Sequence, residues 1–168
     1  MLYEMTIPPF IKALTNLNTF LVKAAGFADS KKIEMDVLLN SRLAPDQLNL
    51  IRQIGIACDS AKMCAARLTG QDAPVHDDAL VKYSELKTRI EDVIAYLSKF
   101  KNEDFKGAEQ KHITQARWEG QYLTGTDYVL QHAIPNVYFH VTTAYAILRH
   151  NGVDLGKKDF LGALSFKK

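Results

Sequence analysis

Between residues 126 and 152 the apolar positions Leu130, Ile134, Val137, Val141, Ala144 and Leu148 recur at spacings of 4, 3, 4, 3 and 4. That spacing is the seam of an α-helix packed among other helices. Tyr138 and Tyr145 lie one position beyond the seam, and Phe139 and Ile147 widen the apolar surface, so this helix is expected to be covered on more than one side. Thr126 or Asp127 can cap its N-terminus, and Asp127 also suits the positive end of the helix dipole. Arg149 and His150 fall in the last turn, and Asn151-Gly152 supplies a left-handed residue to end it. Pro135 is too deep to be a first-turn proline. It frees the carbonyl of Gln131 and predicts a kink.

Three more helical stripes precede this one. Phe10, Leu14, Leu17, Leu21 and Ala24 predict a helix that starts at Pro8-Pro9 and runs to about Phe27, ended by Gly26 and the polar run 28–32. A connector follows, with a short apolar turn at 35–39. Pro45 and Asp46 are expected to open the second long helix, whose seam is Leu48, Ile51, Ile54, Cys58, Ala61, Ala65 and Leu68. Gly55 leaves room for close approach there, and Gly70 ends the helix. Asp77 or Asp78 is expected to cap the third, in which Tyr83, Leu86, Ile90, Val93, Leu97 and Phe100 repeat at 3 and 4. Residues 107–125 change character. Two alternating runs flank Glu119-Gly120, the pattern of a β-hairpin, with Ile113, Trp118 and Tyr122 directed at the helices. Asp159-Phe160-Leu161 predicts one docked turn in the tail. The pattern predicts an all-α fold: an antiparallel four-helix bundle with a small β-hairpin before the last helix, one domain over residues 1–168. The long first connector permits a crossover.

Composition narrows the function classes. A net charge of +2 gives no basic face for nucleic acid and no pull toward an anionic membrane. No apolar run approaches the roughly 20 residues that cross a bilayer. The N-terminus lacks the basic and apolar regions of a signal peptide, so the expected location is cytoplasmic. Cys58 and Cys64, six apart on a helix, point about 240° away from each other, which argues against a disulfide. Cys58 reads as a small buried hydrophobe, and Cys64 as less buried.

Candidate chemistry centres on His132, Asn136 and His140, a polar ridge at i, i+4 and i+8. His132 and His140 are roughly 12 Å apart along the axis, too far to share an ion, whereas Asn136 and His140 are one turn apart. Further donors would come from polar positions on the second and third long helices: Gln53, Asp59, Glu91 and Asp92. A histidine beside a core seam is commonly a hydrogen-bonded structural residue, and Asn is a weak transition-metal ligand. No phosphate-binding loop, Gly-x-Ser-x-Gly or His-Glu-x-x-His motif occurs.

The runs LLNSRLAPDQLNLIRQI at 38–54, LTG at 68–70 and YFHVTTAYAILRHNGVDLGKKDFLG at 138–162 resemble an uncharacterised branch of the DinB/YfiT-like four-helix-bundle superfamily. Metal-binding members of that superfamily use a His on the second helix and a His-x-x-x-His pair on the last. Counted back from Gly152, the pair falls on Asn136 and His140, and the second-helix ligand on Gln53. The resemblance therefore implies a degenerate metal site in which two of three ligands are neutral amides and His140 is the best remaining donor. It implies a pocket at Gln53, Asn136 and His140, with His132 beside them, able to hydrogen-bond a small polar ligand. With the broad apolar surface of the last helix, the missing ligand set points to a homodimer with a vestigial pocket. The alternative it carries is a metal-dependent transferase or hydrolase acting on a small thiol-linked substrate with zinc, nickel or iron.

Overall fold

The computed structural model describes residues 1–77, 79 and 82–167. The chain is mostly helical, with helices α1 (Leu2–Lys31), α2 (Met35–Leu39), α3 (Leu50–Thr69), α4 (Tyr83–Leu97), α5 (Gly125–Tyr128), α6 (Ile134–His150) and α7 (Lys157–Leu161). The four long ones pack together: α3 lies against α6 and α4, and α1 against the same two. Their apolar stripes form one core, with Phe10, Phe20, Ile54, Leu86, Val93, Val141 and Leu148 fully or almost fully buried. The tail docks as expected. In α7 the Phe160 ring stacks on Phe20, its carbonyl accepts from Asn16 Nδ2 at 2.8 Å, and Asp159 pairs with Lys23 at 2.7 Å.

Helix boundaries depart from the sequence pattern where backbone partners override it. Pro8-Pro9 lies well inside α1 rather than at its start. The prolines leave the carbonyls of Glu4 and Met5 without helical donors, but neither residue is buried, so water can serve them. Leu2, Thr6 and Ile7 are buried and hold the first turns down, and Thr6 Oγ1 donates to the Leu2 carbonyl at 2.7 Å. Gly26 does not end the helix. Ala28, two residues on, is still buried, and the stop comes at Lys32, whose left-handed φ of 54° turns the chain. Pro45 and Asp46 belong to a loop, so α3 starts at Leu50. Asn49 is its cap, accepting from the Arg52 N–H at 3.2 Å, and Leu48 is exposed rather than part of the seam. Asp77 does not cap α4, which begins at Tyr83; Asp78 lies outside the described residues.

The hairpin is present but short. Strands β1 (His112–Ile113) and β2 (Leu123–Thr124) pair antiparallel, His112 opposite Thr124 and Ile113 opposite Leu123. A 3₁₀ turn over Ala116–Trp118 replaces the rest of the alternation, and Glu119 and Gly120 take the positive φ of the turn. Ile113 is buried and Trp118 packs on the core, whereas Tyr122 is exposed and stacks on His112. β2 runs straight into the last helix. Thr124 is the cap, not Thr126 or Asp127: its Oγ1 accepts from the Asp127 N–H at 3.2 Å and donates to the Asp127 carboxylate at 2.7 Å. Gly125 has to be glycine here, because a Cβ would sit 1.8 Å from the Ala108 carbonyl oxygen.

Pro135 is accommodated by a π-turn over Val129–Ala133, with the Ile134 N–H reaching the Val129 carbonyl. The inserted residue relieves the missing proline donor and shifts the helical register by one. Val129 and Ala133 are buried, and Leu130, which the periodicity placed on the seam, is 49% exposed. Beyond the turn the predicted seam holds through Val137, Val141, Ala144 and Leu148.

Candidate functional site

The facing sides of α3 and α6 carry the polar residues singled out by their positions. His140 and Gln53 both lie in the core, 7% and 1% exposed. His140 Nδ1 is 2.7 Å from Gln53 Oε1, and Gln53 Nε2 donates to the Leu48 carbonyl at 3.0 Å. With its nitrogen committed to that carbonyl, the amide presents oxygen to the imidazole. Nδ1–H is then the donor and Nε2 keeps its lone pair. Burial holds the His140 pKa below the ordinary 6.5, which keeps the ring neutral.

Asn136 and His132 belong to a different group. Asn136 Nδ2 donates to Ser60 Oγ at 2.6 Å. His132 sits in the π-turn, where its Nε2 accepts from Arg117 NH2 at 2.8 Å and lies 3.4 Å from Gln115 Nε2. Its ring stacks on Tyr128 and meets Trp118 edge-on, both with centroids 5.4 Å away. Desolvation, then the charges of Arg117 and Arg67, lower its pKa, so it too is neutral. Both residues line a cleft of about 150 Å³ between α3, the hairpin and the start of the last helix, together with Arg67, Arg117, Tyr128 and Ser60. Gln53 and His140 do not line it. The four candidate residues therefore form two neighbouring groups, a buried His140–Gln53 pair and an open cleft edged by Asn136 and His132.

Beside the cleft, and reaching it through Asp59, lies a charged cluster that sequence reasoning largely missed. Asp59 forms an ion pair with Lys62 at 2.9 Å through one carboxylate oxygen and accepts a hydrogen bond from Arg89 at 2.7 Å through the other. Both cations are buried, 6% and 3% exposed. Lys62 Nζ also reaches His76 Nδ1 at 2.9 Å, and desolvation with the nearby Lys62 and Arg89 charges keeps the His76 pKa low. Gly55 faces the Arg89 guanidinium rather than a neighbouring backbone, and a Cβ there would stand 3.5 Å from it, in ordinary contact, so the close backbone approach expected at Gly55 is not what the position shows. A signal for this cluster was present: Lys62 follows Cys58 by four, and Arg89 lies between Leu86 and Val93 on the same stripe. Arg67, Tyr128 and Arg117 carried no such mark, because a π-turn and a 3₁₀ turn bring them together. Cys58 and Cys64 are both fully buried, against the expectation for Cys64, and burial drives both thiols to a pKa of about 12. That makes them poor nucleophiles.

A transition-metal site needs several His, Cys or carboxylate donors around one point. Among the described residues there is no such group of three or more. At Gln53, Asn136 and His140 the donors are two neutral amides and one imidazole, and the Gln53 amide oxygen is already committed to His140 Nδ1–H. That set does not fit a transition metal.

A mainly helical chain with a short hairpin leading into a broken last helix is of the DinB-like class. A crystal structure of a DinB family member protein from Shewanella denitrificans matches it with a TM-score of 0.96 and 57% identity, covering 100% of this chain and 96% of that one. The model of the family described as domain of unknown function (DUF1993) matches residues 2–161, and the chain belongs to this family. No curated protein matches the sequence. Among the described residues no helix is long and apolar enough to cross a membrane.

Proposed function

We propose that this protein is a small-molecule-binding, metal-independent member of its family, built as a single antiparallel four-helix bundle and working as a homodimer in the cytoplasm. The observation that carries the reading is the 2.7 Å hydrogen bond between His140 and Gln53. Where the resemblance implies a metal ligand on each helix, here one neutral side chain satisfies the other. The bond consumes the imidazole Nδ1–H, and the second amide hydrogen bond ties Gln53 to the loop before α3. The open cleft beside this pair, not the pair itself, offers a ligand room. The exposed ring of Phe139 on α6 supports the dimer.

Elemental analysis of protein purified without an affinity tag, on wild type and His140→Ala in parallel, tests the reading. No zinc, nickel or iron above background is expected in either. Near-stoichiometric metal that vanishes in the variant would overturn it and restore the metal-dependent transferase or hydrolase. A monomer mass by light scattering at micromolar concentration would remove the dimer.

A further inference from the structure

The cleft between α3 and the hairpin is a donor surface. Arg67 and Arg117 both line it, and no carboxylate lies within ion-pair distance of either guanidinium among the described residues. Arg67 NH1 donates to the Tyr128 hydroxyl oxygen at 3.0 Å, and Arg117 NH2 donates to His132 Nε2 at 2.8 Å, so each arginine rests on a neutral acceptor. The acid in the cleft, Asp59, is already neutralised by Lys62 and Arg89.

The internal hydrogen bonds also use up acceptors and leave protons. Tyr128 Oη accepts from Arg67, and Ser60 Oγ accepts from Asn136. Neither hydroxyl has an acceptor for its own hydrogen among the described residues. His132 Nε2, the acceptor nitrogen of that ring, is covered by Arg117. The open space is lined by two guanidiniums and two O–H groups, beside the Asn136 and Gln115 amides and the paired Asp59 carboxylate. Desolvation raises the Tyr128 pKa to about 12, so its proton stays on as a donor. An excess of donors and positive charge around one small cavity is the complement of an oxyanion.

We propose that this cleft binds a small oxyanion, a carboxylate or phosphate group carried on a short stem, with Arg67 and Arg117 pairing its charge and the Tyr128 and Ser60 hydroxyls donating to its remaining oxygens. Ile56 and Met63, also on the cleft wall, offer apolar contact to the stem. A volume of about 150 Å³ suits an anionic head group on a stem of a few carbons. The inference deepens the small-molecule reading above by naming the ligand class.

The sequence's one tryptophan, Trp118, packs on both Tyr128 and His132, so its fluorescence reports on the cleft. Chelator-treated protein in low-salt buffer would be titrated separately with inorganic phosphate and with butyrate, by Trp118 fluorescence and by calorimetry. Saturable binding with Kd of about 1 mM or tighter is expected for at least one of them. Arg117→Gln, on the exposed hairpin, is expected to weaken it about tenfold or more, as loss of a charge-assisted hydrogen bond does. Arg67→Gln should do the same, Tyr128→Phe should weaken it less, and Lys99→Gln, away from the cleft, should leave it unchanged. Circular dichroism verifies that each variant is folded. Response to phosphate alone assigns phosphoryl groups, and response to butyrate alone assigns carboxylates. No binding of either probe, or equal binding by wild type and folded Arg117→Gln, would overturn the proposal. Because metal has been stripped, this result is independent of the elemental analysis: metal bound through His140 would overturn the metal-free reading without altering the titration.

Discussion

Replacing Gln53 by leucine tests whether the His140–Gln53 pair is a coupled unit. Leucine fills similar space but accepts no hydrogen bond. The His140 Nδ1–H would then be left at a buried position with its 2.7 Å partner gone. An unsatisfied buried donor costs about 1–3 kcal/mol. The Leu48 carbonyl also loses its donor, but Leu48 is exposed and water can replace the amide there. The expected loss is about 2 kcal/mol, which for a chain of this size lowers Tm by about 4–8 °C. His140→Leu, which orphans the Gln53 oxygen instead, is expected to cost a similar amount beyond its loss of packing. The double variant leaves no orphan in the pair, so its loss should fall short of the sum by about 1–2 kcal/mol. Thermal and urea unfolding followed by circular dichroism measure all four proteins. An unchanged Tm in Gln53→Leu, or strict additivity in the double variant, would refute the reasoning.

Stability should also fall on acidification. His76, His132 and His140 all have pKa values held below 6.5, with desolvation the largest cause in each. The unfolded chain therefore binds more protons than the folded one below pH 6.5, and stability present above that pH is lost as pH drops through the folded values. Urea midpoints between pH 7.5 and 5 check this, and His140→Gln should flatten part of the slope. Gly125→Ala places a methyl 1.8 Å from the Ala108 carbonyl oxygen, so a destabilisation of about 3 kcal/mol is expected in chemical denaturation. Cys58 and Cys64 should resist a thiol reagent such as Ellman's in the folded protein and react fully in urea, because burial holds both near a pKa of 12.

Apolar periodicity located the four long helices because burial on a helix leaves a repeating trace. Val137, Val141 and Leu148 are where the spacing put them. Helix ends were less legible, since a start is decided by which side chain reaches a free N–H. Proline at 45 drew attention that the caps Asn49 and Thr124 deserved, and Pro8-Pro9 hid a start set by buried Leu2, Thr6 and Ile7. The hairpin turn at Glu119-Gly120 could be read from its glycine, but the two-residue ladder could not, because tertiary contacts, not alternation, set its length. At the candidate site the pairing of Gln53 with His140 was within reach, since the resemblance put both residues at one site. The separation of Asn136 and His132 into a neighbouring cleft was not, because it depends on Ser60 and Arg117 arriving from other elements.

The π-turn at Val129–Ala133 makes the last helix a ruler with one extra graduation. Residues after the turn can be counted from Gly152, and those before it cannot: every position from Gly125 to Tyr128 is rotated by about 100° from where a continuous count would put it. Deleting one residue within the turn would restore the regular α-helical count ahead of Pro135 and is expected to swing Tyr128 away from Arg67 while leaving His140 opposite Gln53. The geometry of the cleft is thus encoded in a length as much as in residue types. Two relatives can keep every side chain of the cleft and still lose it through a single gap, and an alignment that closes the gap would hide the difference.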